Sequence, residues 1–313
     1  MTQKLAFVFP GQGSQKIGML SELAAEYSLI EQTFSQASSV LDYDLWSLVQ
    51  TGEQDGINKT EVTQPLLLTA STALWQVWKD LGGDMPALLA GHSLGEWSAL
   101  VAADVVDFGA AVKLVHLRGR YMQEAVPAGV GGMAAIVGLE DKAVEEICED
   151  VAGDEFVGAV NYNSPGQIVI AGHKSAVDRA ATACKSAGAK RALPLPVSAP
   201  FHTPLMAPAA ERLAKDMDEI EFRSPGTPIL HNVGVEPVNS GDEIRRRLVD
   251  QITAPVPWVK TIETIADRGI VKAVECGPGK VLSGLNKRIT DKFNTVNIDS
   301  SASLSAALSG GES

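Results

Sequence analysis

The pentapeptide Gly91-His92-Ser93-Leu94-Gly95 constrains this chain more than any other stretch, because of what flanks it. An apolar run at 87–90 precedes it and a helix-forming stretch at 96–102 follows, which gives the order strand, Gly-x-Ser-x-Gly, helix of a nucleophile elbow. A chain that turns from a buried strand into a helix over so few residues has no room for side chains on both sides of the corner, so glycine stands there. The serine is left on a strained bend with its hydroxyl outward. Beneath it, the helix N-terminus offers unpaired N–H groups and a partial positive charge, which favour the anion formed when a serine attacks a carbonyl. Without those flanks the motif is a common idle turn; with them it predicts a parallel α/β sheet carrying a serine nucleophile.

The rest of the chain supplies such a sheet. Leu5–Phe9 reads as a first buried strand ending in Pro10-Gly11-Gln12-Gly13-Ser14-Gln15. That loop lacks the glycine spacing and the Lys-Ser/Thr of a phosphate loop, so it predicts no nucleotide site. At the carboxyl end of a strand it can instead aim a backbone N–H, that of Gln12, at the serine. A helix is expected over 64–81, with Thr63 as N-cap, Pro65 in the first turn, and Trp75 and Trp78 as core and rim. Another is expected over 107–123, capped by Asp107.

In that second helix Ala111, Leu114, Val115, Arg118 and Met122 share one apolar stripe. A guanidinium on such a face needs an anionic partner, because an unpaired buried charge is costly. The residues leave two partners open: a core Asp or Glu, which the stripe alone slightly favours, or a carboxylate on a substrate, which the planar fork holds bidentately.

Composition shifts at the Gly-rich linker near 125–132. Beyond it strands at 133–137, 156–161, 167–171 and 191–195 alternate with helices at 142–148 and 175–187, around a turn at 163–166. The order βαββαβ is a ferredoxin-like split unit. The domain organisation expected is therefore an α/β core formed by 1–125 and 197–313, interrupted by a ferredoxin-like insertion at 126–196. The core resumes with helices at 208–217, 242–251 and 258–267 and strands at 228–232, 271–275 and 295–298. The small, polar segment 300–313 is expected to fray at its end.

The sequence has 313 residues and is 45% hydrophobic, enough for a sizeable core, and its net charge of −12 argues against nucleic acid as the main partner. Cys148, Cys184 and Cys276 are odd in number and widely spaced, which predicts buried thiols in a reducing compartment and no metal site. No apolar run reaches membrane-spanning length, and Met1-Thr2-Gln3-Lys4 leads straight into the first strand without a signal peptide. A cytoplasmic enzyme with no membrane contact is the expectation.

A serine needs a base at neutral pH, and histidine is the usual one. Of the five histidines, His92 is beside Ser93 but its side chain should diverge, His116 is off the Arg118 stripe, and His173 belongs to a turn of the insertion. His202, stiffened between Pro200 and Pro204 at the domain junction, leads modestly over His231 at a strand end.

Taken together, Phe9-Pro10-Gly11-Gln12-Gly13-Ser14-Gln15, the elbow through Glu96, His116-Leu117-Arg118-Gly119, Asn161-Tyr162-Asn163-Ser164-Pro165-Gly166-Gln167, Phe201-His202, Gln251, Pro255-Val256-Pro257-Trp258 and Glu275-Cys276-Gly277-Pro278-Gly279-Lys280 resemble the malonyl-CoA:acyl carrier protein transacylase family of type II fatty acid synthesis. The resemblance spans nearly the whole chain in order. It implies an α/β-hydrolase-like core with a ferredoxin-like insertion, Ser93 as nucleophile, His202 as base, and the main-chain carbonyl of Gln251 orienting that base. The same resemblance implies an oxyanion hole of the Gln12 and Leu94 N–H groups, Arg118 gripping the malonyl carboxylate beside Met122, and Asn161 and Asn163 near the CoA or carrier arm. The activity implied is ping-pong transfer of malonyl from malonyl-CoA to acyl carrier protein, with no cofactor. Family members also serve polyketide synthases. An acidic carrier would need a local basic face, for which Lys190 with Arg191, the run 245–247, and Lys280 with Lys287 and Arg288 are the choices. Where many members carry tyrosine after the elbow glutamate, this chain has Trp97, which predicts altered packing. The rivals are a serine thioesterase or hydrolase, an acyltransferase for neutral acyl groups, and a non-catalytic carrier-docking module.

Overall fold

The computed structural model describes residues 4–309, and the terminal readings at 1–3 and 310–313 lie outside them. The fold is mixed α/β, with one parallel and one antiparallel sheet. Strands β1 (Leu5–Phe9), β2 (Leu88–Gly91), β3 (Gly131–Val137), β4 (Val157–Ser164), β5 (Gln167–His173), β6 (Arg191–Pro194), β7 (Ile229–Leu230), β8 (Lys272–Glu275) and β9 (Asn294–Asn297) divide between them. The five-stranded sheet has the order β7-β2-β1-β8-β9, every neighbour parallel. The four-stranded sheet has the order β4-β5-β3-β6, every neighbour antiparallel.

β1 explains the layering. All five of its residues are buried, as in a central parallel strand covered on both faces. Leu5, Phe7 and Phe9 point into the larger core with the Thr60–Asp80 and Leu94–Ala102 helices, whereas Ala6 and Val8 face Trp258, Ile262 and Ile265 of the Trp258–Asp267 helix. A third cluster lies between the antiparallel sheet and the Asp141–Ala152 and Lys174–Ser186 helices, and it buries Cys148 and Cys184. All three cysteines are free and buried.

Several boundaries differ from the sequence reading for physical reasons. The helix expected from residue 64 begins a turn earlier, at Thr60, so Pro65 sits inside it and Thr63 is no cap. Pro65 has no N–H for the Glu61 carbonyl, and His116 Nδ1 occupies that carbonyl instead at 3.0 Å. β4 runs on to Ser164, which narrows the predicted turn to Pro165-Gly166. The strand expected over 228–232 keeps only Ile229–Leu230. Within the segment 300–313 the described residues form the Ser301–Leu308 helix, started by a capping box between Ser300 and Ser303, and the end expected to fray lies outside them. The chain also forms the Ser21–Glu26, Leu29–Leu41, Leu45–Thr51, Gln54–Ile57 and Val281–Ile289 helices, which the sequence pattern does not predict. No helix of the described residues is long and apolar enough to cross a membrane.

Candidate active site

β1, β2 and β7 end at the same edge of the parallel sheet, where open α/β sheets place their sites. The elbow stands at the end of β2. Ser93 has φ 51° and ψ −108°, a conformation rarely adopted by an L-residue and found where surrounding structure overrides its cost. The flanking glycines are obligatory: a Cβ on Gly95 would lie 2.0 Å from the Phe9 carbonyl oxygen, and one on Gly91 would lie 2.0 Å from the Gly95 carbonyl carbon. Helix and strand thus meet backbone to backbone, with Leu94 opening the helix at the cavity wall.

Ser93 Oγ and His202 Nε2 are 2.8 Å apart, although they are separated by 109 residues in sequence. His202 Nδ1–H donates to the Gln251 carbonyl at 2.9 Å. That bond fixes the tautomer and leaves the Nε2 lone pair for the serine proton. Burial, reinforced by the Arg118 cation, pushes the imidazole down to about 3, so it is a free base over the ordinary pH range. His231, the other proposed base, is fully buried and its Nδ1–H donates to Glu96 Oε1 at 2.7 Å, which removes it from contention. His92 diverges from Ser93 as expected: its Nε2 lies 2.8 Å from Asn163 Oδ1, its ring is 5.5 Å from that of Trp258, and burial holds its pKa below the usual value.

Arg118 is 1% exposed, on the buried stripe predicted for it. The core-acid alternative fails, since none of the ion pairs among the described residues includes it. Its Nη1 donates to Gln64 Oε1 at 2.7 Å, and its Nη2 donates to Gln251 Oε1 at 2.9 Å and to Ser93 Oγ at 3.3 Å. Its buried Nε–H has no partner. Neutral groups compensate a buried cation poorly, so burial lowers its pKa to about 10 against a smaller upward pull from Glu96.

These groups open into a cavity of about 440 Å³, lined among others by Gln12, Gln64, Met122, Asn161 and Phe201. Asn161 Oδ1 is buried there without a partner. Asn163, expected near the CoA or carrier arm, bonds His92 through Oδ1. Of the proposed basic groups, Lys190 and Arg191 are exposed, whereas the run 245–247 is committed to Asp242, Glu243 and Glu236 and does not present a free basic face. Trp97 is fully buried and packs edge-on to Phe222.

Three side chains in this site were not singled out from the sequence. Gln64 holds one arm of the guanidinium. Asn232 braces the elbow, accepting the Ser93 N–H through Oδ1 at 2.9 Å and donating through Nδ2 to the Gly91 carbonyl at 2.7 Å. Glu96 is buried beneath both. The available signal for Glu96 was its place as the only charge in the otherwise apolar Leu94–Ala102 helix.

Comparison with known proteins agrees with this geometry. The family model described as an acyl transferase domain matches residues 6–296. The malonyl CoA-acyl carrier protein transacylase of Salmonella typhimurium is 56% identical over 308 residues, covering 98% of this chain and 99% of that protein. The crystal structure of an acyl carrier protein S-malonyltransferase from Vibrio cholerae has a TM-score of 0.95 at 55% identity, covering 97% of this chain and 99% of the other. A malonyl-transacylase solved in complex with a type II polyketide synthase acyl-carrier protein has a TM-score of 0.97 at 52% identity, covering 98% and 100%. With nearly complete coverage on both sides, the chain belongs to the malonyl CoA-acyl carrier protein transacylase family, within the acyl transferase domain.

Proposed function

We propose that this protein transfers a malonyl group from malonyl-CoA to the phosphopantetheine thiol of an acyl carrier protein, through a malonyl-Ser93 intermediate, in fatty acid synthesis. The observation that carries this is the buried Arg118 guanidinium 3.3 Å from Ser93 Oγ. In a malonyl thioester the carboxylate is two bonds from the carbonyl that the serine attacks. One ligand can therefore meet both groups, and an acetyl group would leave the cation unpaired.

His202 Nε2 takes the proton as Ser93 Oγ bonds to the thioester carbonyl carbon. The oxygen that becomes negative is held by the N–H groups of Gln12 and Leu94, which both line the cavity beside the serine. Losing one such donor costs about 3 kcal/mol in comparable sites. Collapse breaks the C–S bond and His202 returns its proton to the CoA sulfur. The carrier thiol then attacks malonyl-Ser93, again losing its proton to His202, and Ser93 is restored. Met122 and Asn161 line the malonyl and thioester path, and Asn163 acts on that path through His92. The bound malonyl carboxylate offsets the Arg118 charge, which raises the proton affinity of the buried His202 at the moment it acts as base.

The same reading assigns an α/β-hydrolase-like core to 1–125 and 197–313 and a ferredoxin-like insertion to 126–196. The parallel sheet with its elbow after β2, and the β4-β5-β3-β6 order from βαββαβ connectivity, support it. Lys190 and Arg191, exposed where β6 begins on its way to Leu195 and Val197 of the cavity wall, are the carrier-facing charges. The protein works in the cytoplasm. The test is sequential: load the protein with malonyl-CoA, remove the excess, and add holo acyl carrier protein. Malonyl appearing on the carrier supports transfer, and release as free malonate at the same rate without carrier would make the protein a hydrolase.

A further inference from the structure

Glu96 is a fully buried carboxylate with no cation in contact, an arrangement that is costly unless both oxygens are well bonded. Its Oε1 accepts from His231 Nδ1 at 2.7 Å, and its Oε2 accepts from the Asn232 N–H at 3.0 Å and from Gln251 Nε2 at 2.6 Å. Gln251 Nε2 also reaches the Ser93 carbonyl at 3.1 Å, while Gln251 Oε1 accepts from Arg118 at 2.9 Å. The Gln251 amide thus lies between a buried anion and a buried cation.

A carboxamide has nearly the same shape when its oxygen and nitrogen exchange places, so packing alone does not choose between the two orientations. Glu96 does. With a carboxylate on one side, the NH2 must turn to it and the oxygen must turn to Arg118; the reversed amide would set oxygen against carboxylate and NH2 against guanidinium. Resting on the malonyl-transfer reading above, we propose that Glu96 is a positioning residue for substrate selection, which acts through the Gln251 amide to hold the Arg118 guanidinium in the orientation that accepts a carboxylate. Asn232 gives the same anion a second line to the site, because its backbone is held by Glu96 while its side chain spans Gly91 and Ser93. The groups acting on the guanidinium are Glu96 from the elbow helix and His202 from the loop before the Ala207–Met217 helix. The Thr60–Asp80 and Gly241–Thr253 helices meet it with the neutral amides of Gln64 and Gln251.

Separating this role from a general structural one requires two substrates and two variants. In Glu96→Ala the amide loses its one charged acceptor, and the ratio of kcat/KM for malonyl-CoA to that for acetyl-CoA should fall by about tenfold, the scale of one charge-assisted hydrogen bond. The double variant Glu96→Ala/Arg118→Ala should be no less selective than Arg118→Ala alone, because the effect passes through Arg118. Equal losses on both thioesters, or additive losses in the double variant, would overturn the proposal.

Glu96→Gln supplies a decision even if the alanine variant does not fold. His231 Nε2 has no partner, so its ring can move its proton there and accept from the new amide at Nδ1, leaving the amide oxygen for Asn232 and Gln251. Glu96→Gln should therefore keep the malonyl-to-acetyl ratio at neutral pH. A ratio in Glu96→Gln that falls as far as it does in Arg118→Ala would overturn the proposal, because this amide presents the same acceptor to Gln251. Failure of the wild-type protein to form malonyl-Ser93 would instead remove the transfer reading itself.

Discussion

Replacing Arg118 by methionine should separate function from stability. Most residues as buried as Arg118 destabilise a protein by several kcal/mol when changed. Here the wild-type side chain is itself under stress: its pKa falls from 12.5 to about 10, which corresponds to about 3 kcal/mol of unfavourable burial in the charged form. Methionine removes that cost and keeps an apolar stem on the stripe with Leu114, Val115 and Met122. The change strips a donor from Gln64 Oε1, a loss of about 1 kcal/mol because Gln64 lines the cavity where water can replace the bond, and from the fully buried Gln251 Oε1, a loss of about 2 kcal/mol. The terms nearly cancel, so the melting temperature of Arg118→Met should lie within about 4 °C of the wild type. Malonyl transfer should fall by about 2–5 kcal/mol of transition-state binding, roughly 30-fold to several-thousand-fold, as when one partner of a buried charge pair is truncated. Acetyl transfer should fall much less or rise. The assays are thermal unfolding and kcat/KM for both thioesters. A variant that unfolds far below the wild type, or that loses both activities equally, would show that the guanidinium is a structural pin and not a substrate clamp.

The low pKa of His202 has two consequences with definite sign. Acylation should stay level from about pH 8 down to about pH 5, where an ordinary imidazole would lose half its activity near pH 6.5. Between about 6.5 and about 3 the unfolded chain binds a proton at this residue and the folded one does not, so stability falls on acidification. That loss is on the order of 4 kcal/mol at the acid end and should be missing from His202→Gln in urea titrations; parallel curves for the two proteins would refute it. Gly95→Ala drives a methyl group into the Phe9 carbonyl, and should cost about 3 kcal/mol or more with loss of acylation; wild-type stability by urea unfolding would contradict the elbow geometry. Lys190→Glu/Arg191→Glu should raise the KM for the acidic carrier several-fold and abolish its salt dependence, leaving malonyl-CoA kinetics unchanged; an unaltered carrier KM would move the docking face elsewhere.

What the sequence disclosed follows from how local each signal is. The elbow was legible because its strand, turn and helix are adjacent, and the inward arginine because helical spacing assigns it to a stripe with Leu114 and Met122. The choice between a core acid and a ligand carboxylate was beyond that reading. It depends on Gln64 and Gln251, which lie 54 and 133 residues from Arg118 and meet it only in the folded state. His202 and His231 were similarly hard to separate locally, since the difference is which one crosses to Ser93 and which to Glu96. Of the four helices between 21 and 57, three have seven residues or fewer, and tertiary packing decides them more than periodicity does. The Ser301–Leu308 helix was hard to read because Ser303 stands where the usual capping-box pattern has glutamate or glutamine.

The central claim is that Ser93, served by His202, carries a malonyl group covalently. Intact-protein mass spectrometry after brief exposure to malonyl-CoA tests it directly. One malonyl adduct per chain is expected, absent in Ser93→Ala and discharged by a pantetheine thiol much faster than by water. An unmodified wild-type protein, or an adduct that persists in Ser93→Ala, would contradict the account.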